Sequence, residues 1–222
     1  MLEVRNLITR FGTHLVHDSI SLRIDRGQIV ALFGPSGAGK STLINFIFYG
    51  NPNSSGELLW EGKTWNREDI SKKIGVAPQH GGLLSDYTVL HNVAMPLKYV
   101  LGYSTSLAYE IASARLQEFG LGNRSYAQYP DSLSGGMLRR ASIVRAMILE
   151  QDLLILDEPL SGLDLESSRN VSSIISNLSC SVLCVTHEYI KADLYLVLYE
   201  GGLICGNYKQ IREDPVGRRF VP

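Results

Sequence analysis

Residues 34–42, GPSGAGKST, hold the first side chains whose types and spacing could do chemistry. Gly34, Gly39, Lys40 and Ser41 fall in register with the pattern G-x-x-x-x-G-K-[ST]. Glycines in such a loop let backbone N–H groups converge on phosphate oxygens with no Cβ in the way. A helix opening near Lys40 adds about half a positive charge at its N-terminus. The Lys40 ammonium is expected at the β- and γ-phosphates of a nucleotide and the Ser41 hydroxyl on Mg2+. Pro35, Ser36, Gly37, Ala38 and Thr42 complete the cradle, so the chemistry read here is nucleoside-triphosphate binding.

Two further groups belong with it. Asp157 and Glu158 end the apolar run DLLILDEP, residues 152–159, where a carboxylate has no packing reason to be. Asp157 suits a Mg2+-linked role and Glu158 is placed to polarise a water for attack on the γ-phosphate. His187 ends a second apolar run, CSVLCVTHE. A second glycine-bearing turn, DSLSGGMLRRASIVRAM at 131–147, poses a puzzle, because one domain has no evident need of two phosphate cradles. Taken alone, Ser134 before Gly135 and Gly136 reads as an ordinary helix cap.

These residues need elements to carry them. QIVALFG at 28–34 is a continuous apolar run, as expected of a buried parallel strand, and STLINFIFYG follows with helical spacing and a glycine stop. With the runs ending at Glu158 and His187, three strands deliver polar groups at their carboxyl ends, as an open α/β sheet does. EVRNLITRFG, SISLRI and GELLWEG are short, half-buried segments between turn signals and predict an antiparallel flank. From 84 to 133 strand signals give way to helical spacing, which predicts an inserted helical lobe within a single domain spanning 1–222.

The bulk numbers agree with a packed fold. The 222 residues are 45% apolar and 19% charged, with a net charge of −1 and therefore no global basic footprint for nucleic acid. Arg139–Arg140 and Arg218–Arg219 read as solvated pairs. The opening MLEVRNLITRFG lacks the apolar segment of a signal peptide, and no apolar run reaches the roughly 20 residues that cross a bilayer. The three cysteines, Cys180, Cys184 and Cys205, suit a reducing compartment, and CSVLCV reads as a buried strand rather than a metal site.

The motifs together resemble the ATP-binding subunits of ABC transporters. LSGGM, from Leu133 through Ser134, Gly135 and Gly136 to Met137, resembles that family's signature sequence; LLILDE resembles its Walker B strand; and SGLD, ending at Asp164, its D-loop. Gln79 matches the Q-loop glutamine, His187 the switch histidine, and Phe11 the aromatic that stacks on adenine. The resemblance implies the ABC ATPase fold: an α/β P-loop NTPase core with a mostly parallel sheet, an N-terminal antiparallel β flank and an inserted helical lobe. It also implies an answer to the puzzle. In the family two subunits pack head to tail, so residues 133–137 of one close over the γ-phosphate held by the other, with Asp164 at the dimer seam. His187 is implied to contact the γ-phosphate beside the catalytic Glu158, and Gln79 to join Ser41 and Asp157 around Mg2+ and report nucleotide state to the lobe. The implied cofactors are ATP and Mg2+. The implied partners are a second copy and an integral-membrane permease, at the cytoplasmic face of the inner membrane.

Met137 in the signature, the following RRA, residues 81–97 and EDPVGRRF resemble the Mla/Mce-type ATPases that move phospholipids, which adds an MCE-type lipid-binding protein to the implied partners. The chain's length is expected to hold no C-terminal regulatory domain like that of some sugar and metal importers. ATPases of lipoprotein release, cell division and amino-acid import are alternatives, as are soluble ABC-type ATPases. LSGGMLRR and DEPLSGLD depart from the LSGGEQQR and DEPTGNLD usual in the first two. The DNA-linked soluble kinds need a coiled coil, for which no heptad run exists, and the translation kinds carry two cassettes. A small-molecule kinase leaves LSGGM and His187 unexplained.

Overall fold

The computed structural model describes residues 1–64 and 72–222. Strands β1 (Leu2–Phe11) and β2 (His14–Ile24) form an antiparallel pair, extended by β4 (Ser54–Trp60) and β5 (Lys63–Thr64) into a sheet of order β2-β1-β4-β5. A second sheet has the order β10-β9-β3-β8-β7-β6. It is built from β3 (Ile29–Phe33), β6 (Ile74–Ala77), β7 (Leu153–Asp157), β8 (Ser181–Val185), β9 (Leu194–Tyr199) and β10 (Gly202–Gly206). All its pairs are parallel except β9–β10. The three strands expected to carry the polar groups are therefore adjacent, with β8 between β3 and β7.

Helix α1 (Lys40–Tyr49) lies between the two sheets. Alternate residues of a strand point to opposite faces, and β3 shows the consequence. Val30 and Leu32 join Leu43 and Ile47 of α1 with Leu2, Leu7, Leu22 and Ile24 of the antiparallel sheet. Ala31 and Phe33 join Ile143 and Ala146 of α5 (Gly135–Met147) and Val171 and Ile175 of α6 (Leu165–Ser176) on the other side. Both faces of the parallel sheet are covered, which is why its strands read as continuous apolar runs. Truncating a fully enclosed member such as Ile47 to Ala is expected to cost about 2–5 kcal/mol.

Between β6 and β7 the described chain is helical. Helices α2 (Val89–Tyr99), α3 (Thr105–Glu118) and α4 (Asn123–Tyr126) lead to α5. Val89, Val93 and Leu97 of α2 pack with Ala108, Ala112 and Leu116 of α3, and this cluster closes on Ala141, Val144 and Ile148. Helix α5 is thus shared. Ile143 and Ala146 belong to the sheet core, while Ala141 and Val144 belong to the helical cluster. The last α-helix is the short α7 (Tyr208–Glu213), followed by a single 3-10 turn at Gly217–Arg219.

The arginine pair Arg139–Arg140 is not solvated as its composition suggested. Arg140 Nη1 donates to the carbonyls of Phe119 at 3.0 Å and Gly120 at 3.1 Å, and Arg139 Nη1 donates to the carbonyl of Gln79. Both arginines are half-buried, and a guanidinium fork can serve several loop carbonyls at once. Arg218 and Arg219 are both exposed, as a solvated pair should be, with the Arg219 guanidinium 5.5 Å from the centre of the Tyr199 ring.

Candidate functional site

A cleft of 520 Å³ opens where the loop after β3 meets the ends of β7 and β8. Its lining includes Ser36, Gly37, Ala38, Gly39, Lys40, Ser41 and Thr42, together with Gln79, Asp157, Glu158 and His187. The structure therefore brings the loop glycines, the strand-end acids, the glutamine and the histidine to one place. Gly34 and Pro35 sit behind the cradle, where their carbonyls accept from Lys40 Nζ at 2.7 and 3.0 Å. Phe11 stands exposed at the end of β1, outside that lining.

The cradle is shaped for a small anion. Gly39 adopts φ +97°, and a Cβ there would lie 2.5 Å from Val16 Cγ1 and 2.7 Å from His17 Nε2. Backbone at that position must approach its neighbours more closely than any side chain allows. The N-terminus of α1 has no side-chain cap. The contrast is sharp, because α2, α3, α5, α6 and α7 are capped by Thr88, Ser104, Ser134, Asp164 and Asn207. Among the described residues, α1 is the one helix longer than four residues whose first N–H groups find no such side chain. Those orphan donors and the positive end of the helix face the cleft, an arrangement suited to phosphate.

Opposite the cradle, Glu158 Oε1 and His187 Nε2 are 3.1 Å apart, and Lys40 Nζ lies 3.5 Å from the same nitrogen. Glu158 is buried at 8% exposure and sits at φ +49°, a conformation that costs a non-glycine residue about 1 kcal/mol. Its N–H donates to the Val185 carbonyl at 2.8 Å, so the ladder between β7 and β8 fixes where its side chain leaves the sheet. His187 is set by its neighbours: Thr186 is buried, and its Oγ1 accepts from Glu188 N at 2.9 Å. Burial pushes the Glu158 carboxyl above its usual range, against the opposing pull of His187 and Lys40. Asp157 is raised by the same cause, and Lys40 is lowered by burial despite the two acids beside it. Each departure reflects charge held in a half-enclosed cleft, a common property of functional sites.

The groups suited to a metal are a hydroxyl (Ser41), an amide (Gln79) and a carboxylate (Asp157), all lining the cleft. Oxygen donors of this kind suit Mg2+. Among the described residues no group of three or more His, Cys, Asp or Glu could hold a metal alone, so the fit is to a cation shared with phosphate oxygens.

The second glycine turn lies elsewhere. Leu133 and Met137 are half-buried, Ser134 and Gly135 are exposed, and none of residues 133–137 lines the cleft. Ser134 Oγ accepts from Met137 N at 3.3 Å, so the serine caps its own helix. Gly136 is buried, and a Cβ there would come within 2.8 Å of Ser167 Oγ. Asp164 in turn accepts from Ser167 N at 2.9 Å and from Ser167 Oγ at 2.7 Å, which locks the start of α6 against the start of α5. Ser167 carries no motif signal, and only its position three residues after an acidic cap could have marked it. Val16 and Glu188 also line the cleft without having been assigned a role from the sequence, and Ser161, the first residue of the SGLD stretch, joins them there.

Comparison with known proteins places this arrangement. Residues 17–161 match the family model described as ABC transporter. The chain is 34% identical to the intermembrane phospholipid transport system ATP-binding protein MlaF of Haemophilus influenzae, over 89% of this chain and 76% of that one. It is 39% identical to the methionine import ATP-binding protein MetN of Rhizobium johnstonii over 81% of this chain, and spans 52% of that protein's length. The fold superposes on an ATP-binding subunit of an ABC transporter with a TM-score of 0.80 at 27% identity, covering 96% of this chain and 92% of the other. A bacterial ABC transporter cassette solved as a dimer gives 0.79 at 25% identity, covering 91% and 96%. The chain belongs to the ABC transporter family, as an ATP-binding and ATP-hydrolysing subunit.

Proposed function

We propose that two copies of this chain close head to tail around two ATP molecules and drive a membrane permease that moves phospholipid in a bacterial envelope. The observation that carries the nucleotide site is the contrast at α1: its N–H groups lack a side-chain cap and face a cleft lined by Lys40, Asp157, Glu158 and His187. Residues 34–42 bind the phosphates, Phe11 stacks on the adenine, and Lys40 holds the β- and γ-phosphates. Ser41, Gln79 and Asp157 are the residues that would hold Mg2+, which supplies neutralisation of phosphate charge when bound. Glu158 draws a proton from the attacking water, and His187, 3.1 Å from its carboxylate, orients that water and the γ-phosphate. Residues 133–137 of the second copy cover the γ-phosphate, with Asp164 at the seam. Each charge-assisted hydrogen bond so formed contributes about 1.5–3 kcal/mol, and only while the γ-phosphate is present. ATP therefore joins the copies and hydrolysis releases them.

No helix among the described residues is long and apolar enough to cross a membrane, so transport requires a partner that does. The proposed place is peripheral, at the cytoplasmic face of the inner membrane, against a permease and an MCE-type lipid-binding protein. Similarity to MlaF over most of both chains and Met137 in the signature favour phospholipid as cargo. The second reading is amino-acid import, favoured by the 39% identity to MetN. Purification of the tagged chain from native membranes in mild detergent, with mass spectrometry of what accompanies it, separates the two. A permease with an MCE-type protein and phospholipid supports the first reading; a permease of an amino-acid importer overturns it in favour of the second.

A further inference from the structure

His17 carries no motif signal and is buried without exposure, yet its ring touches the phosphate loop. Its Nε2 lies 3.1 Å from the Gly39 carbonyl oxygen and its Nδ1 lies 2.9 Å from Thr9 Oγ1. Thr9 Oγ1 is in turn 2.7 Å from Ser54 Oγ. These three side chains come from three neighbouring strands, since Thr9 is paired with His17 across β1–β2 and with Ser54 across β1–β4. The row crosses the antiparallel sheet and ends on the loop.

The direction of every bond follows from one fact. A carbonyl oxygen can only accept, so Nε2 carries the proton. Burial holds the imidazole neutral, so Nδ1 has none and accepts from the Thr9 hydroxyl. That hydroxyl has spent its single proton and accepts from Ser54. The Gly39 carbonyl also accepts from Leu43 N at 2.9 Å, the first bond of α1. It is therefore held by two donors. In a trans peptide the carbonyl and the following N–H point in opposite directions, so fixing Gly39 C=O fixes the Lys40 N–H at the mouth of α1. Donation to the carbonyl also polarises the peptide and strengthens that N–H as a donor.

We infer that His17 is a positioning residue for nucleotide binding: from the antiparallel sheet, it holds the Gly39–Lys40 peptide in the orientation that presents the Lys40 N–H to phosphate. The inference rests on the reading of residues 34–42 as the nucleotide cradle. Because the peptide is shaped before chemistry, the effect falls on binding of ADP and ATP alike and leaves kcat in place.

Calorimetric ADP binding and steady-state ATP hydrolysis test it in wild type, His17→Leu, His17→Gln and Lys40→Ala. Leucine fills the site without a donor, whereas the glutamine amide nitrogen is as many bonds from the backbone as Nε2 and can donate in its place. His17→Leu is expected to weaken ADP binding and raise KM for ATP by about 5–10-fold with kcat retained, and His17→Gln to recover most of the loss. Wild-type affinity in His17→Leu, or equal losses in the leucine and glutamine variants, overturns the inference and leaves the cradle intact. Failure of wild type itself to bind ADP, or full binding in Lys40→Ala, overturns the cradle reading instead. Nitrogen-15 spectra of the wild-type imidazole need no variant to fold. A proton on Nε2 with Nδ1 bare is expected, and a proton on Nδ1 alone overturns the inference.

Discussion

Two helices of this protein begin in glycine- and serine-bearing turns, and they end up in opposite situations. The mouth of α1 opens inward on a cleft that the chain furnishes itself, with an ammonium, two acids and a histidine around it. It has no side-chain cap. The mouth of α5 opens outward, with Ser134 and Gly135 exposed and the helix capped by its own serine. Its back is nonetheless rigid, since Gly136 packs on Ser167 and Ser167 is held by Asp164. One mouth faces charged groups supplied by the same chain. The other is a packed, outward-facing turn, and none of its residues 133–137 lines the cleft. Similar local sequence gives both; what each becomes depends on whether the fold puts charged groups in front of it.

The largest effect that could break this contrast comes from Lys40→Ala. It should abolish hydrolysis and weaken ATP binding by at least about 100-fold in a calorimetric titration, since Lys40 is the cation at the α1 mouth. Next is Glu158→Gln, which should lower kcat by about 100–1,000-fold while ADP affinity stays near wild type. Wild-type hydrolysis in that variant would remove Glu158 from the chemistry. The pH profile sharpens the same point. Burial raises the Glu158 carboxyl above 4.5, so its protonated, inactive form persists to higher pH than in a free glutamate. The acid limb of kcat should accordingly fall above pH 4.5 and vanish in Glu158→Gln. The smallest effect separates cap from cradle at α5. Ser134→Ala removes one capping bond and should lower stability by at most about 1 kcal/mol, or roughly 2–4 °C in Tm by calorimetry, with ADP binding by the single chain unchanged.

Much of the core was legible because its signals are local. The runs at β3, β7 and β8 are apolar because both faces of that sheet are covered, and each leads into the stretch that its motif marks. Asp157, Glu158 and His187 were therefore placed by their strand ends, and Lys40 by the spacing of the glycine loop that follows β3. The antiparallel sheet was legible in outline only. Counting inward residues back from Ile24, Leu22 and Ile20 puts His17 on the outer face. Ser19, at φ +56°, and Asn6, at φ +50°, lie where the β1–β2 register shifts, and the shift turns His17 and Thr9 inward. A one-residue slip reverses every side chain beyond it, and no residue type announces it. The arginines misread as a solvated pair fail for a related reason. Their partners are carbonyls of Gln79, Phe119 and Gly120, which have no signature in a side-chain alphabet.

The central claim is that the α5 mouth of one copy completes the α1 mouth of another. Sedimentation of the hydrolysis-deficient Glu158→Gln chain with ATP, beside the same chain carrying Ser134→Arg, tests it most directly. The account predicts an ATP-dependent dimer for the first and a monomer that still binds ATP for the second. A double variant that dimerises with ATP as readily as Glu158→Gln alone would contradict it.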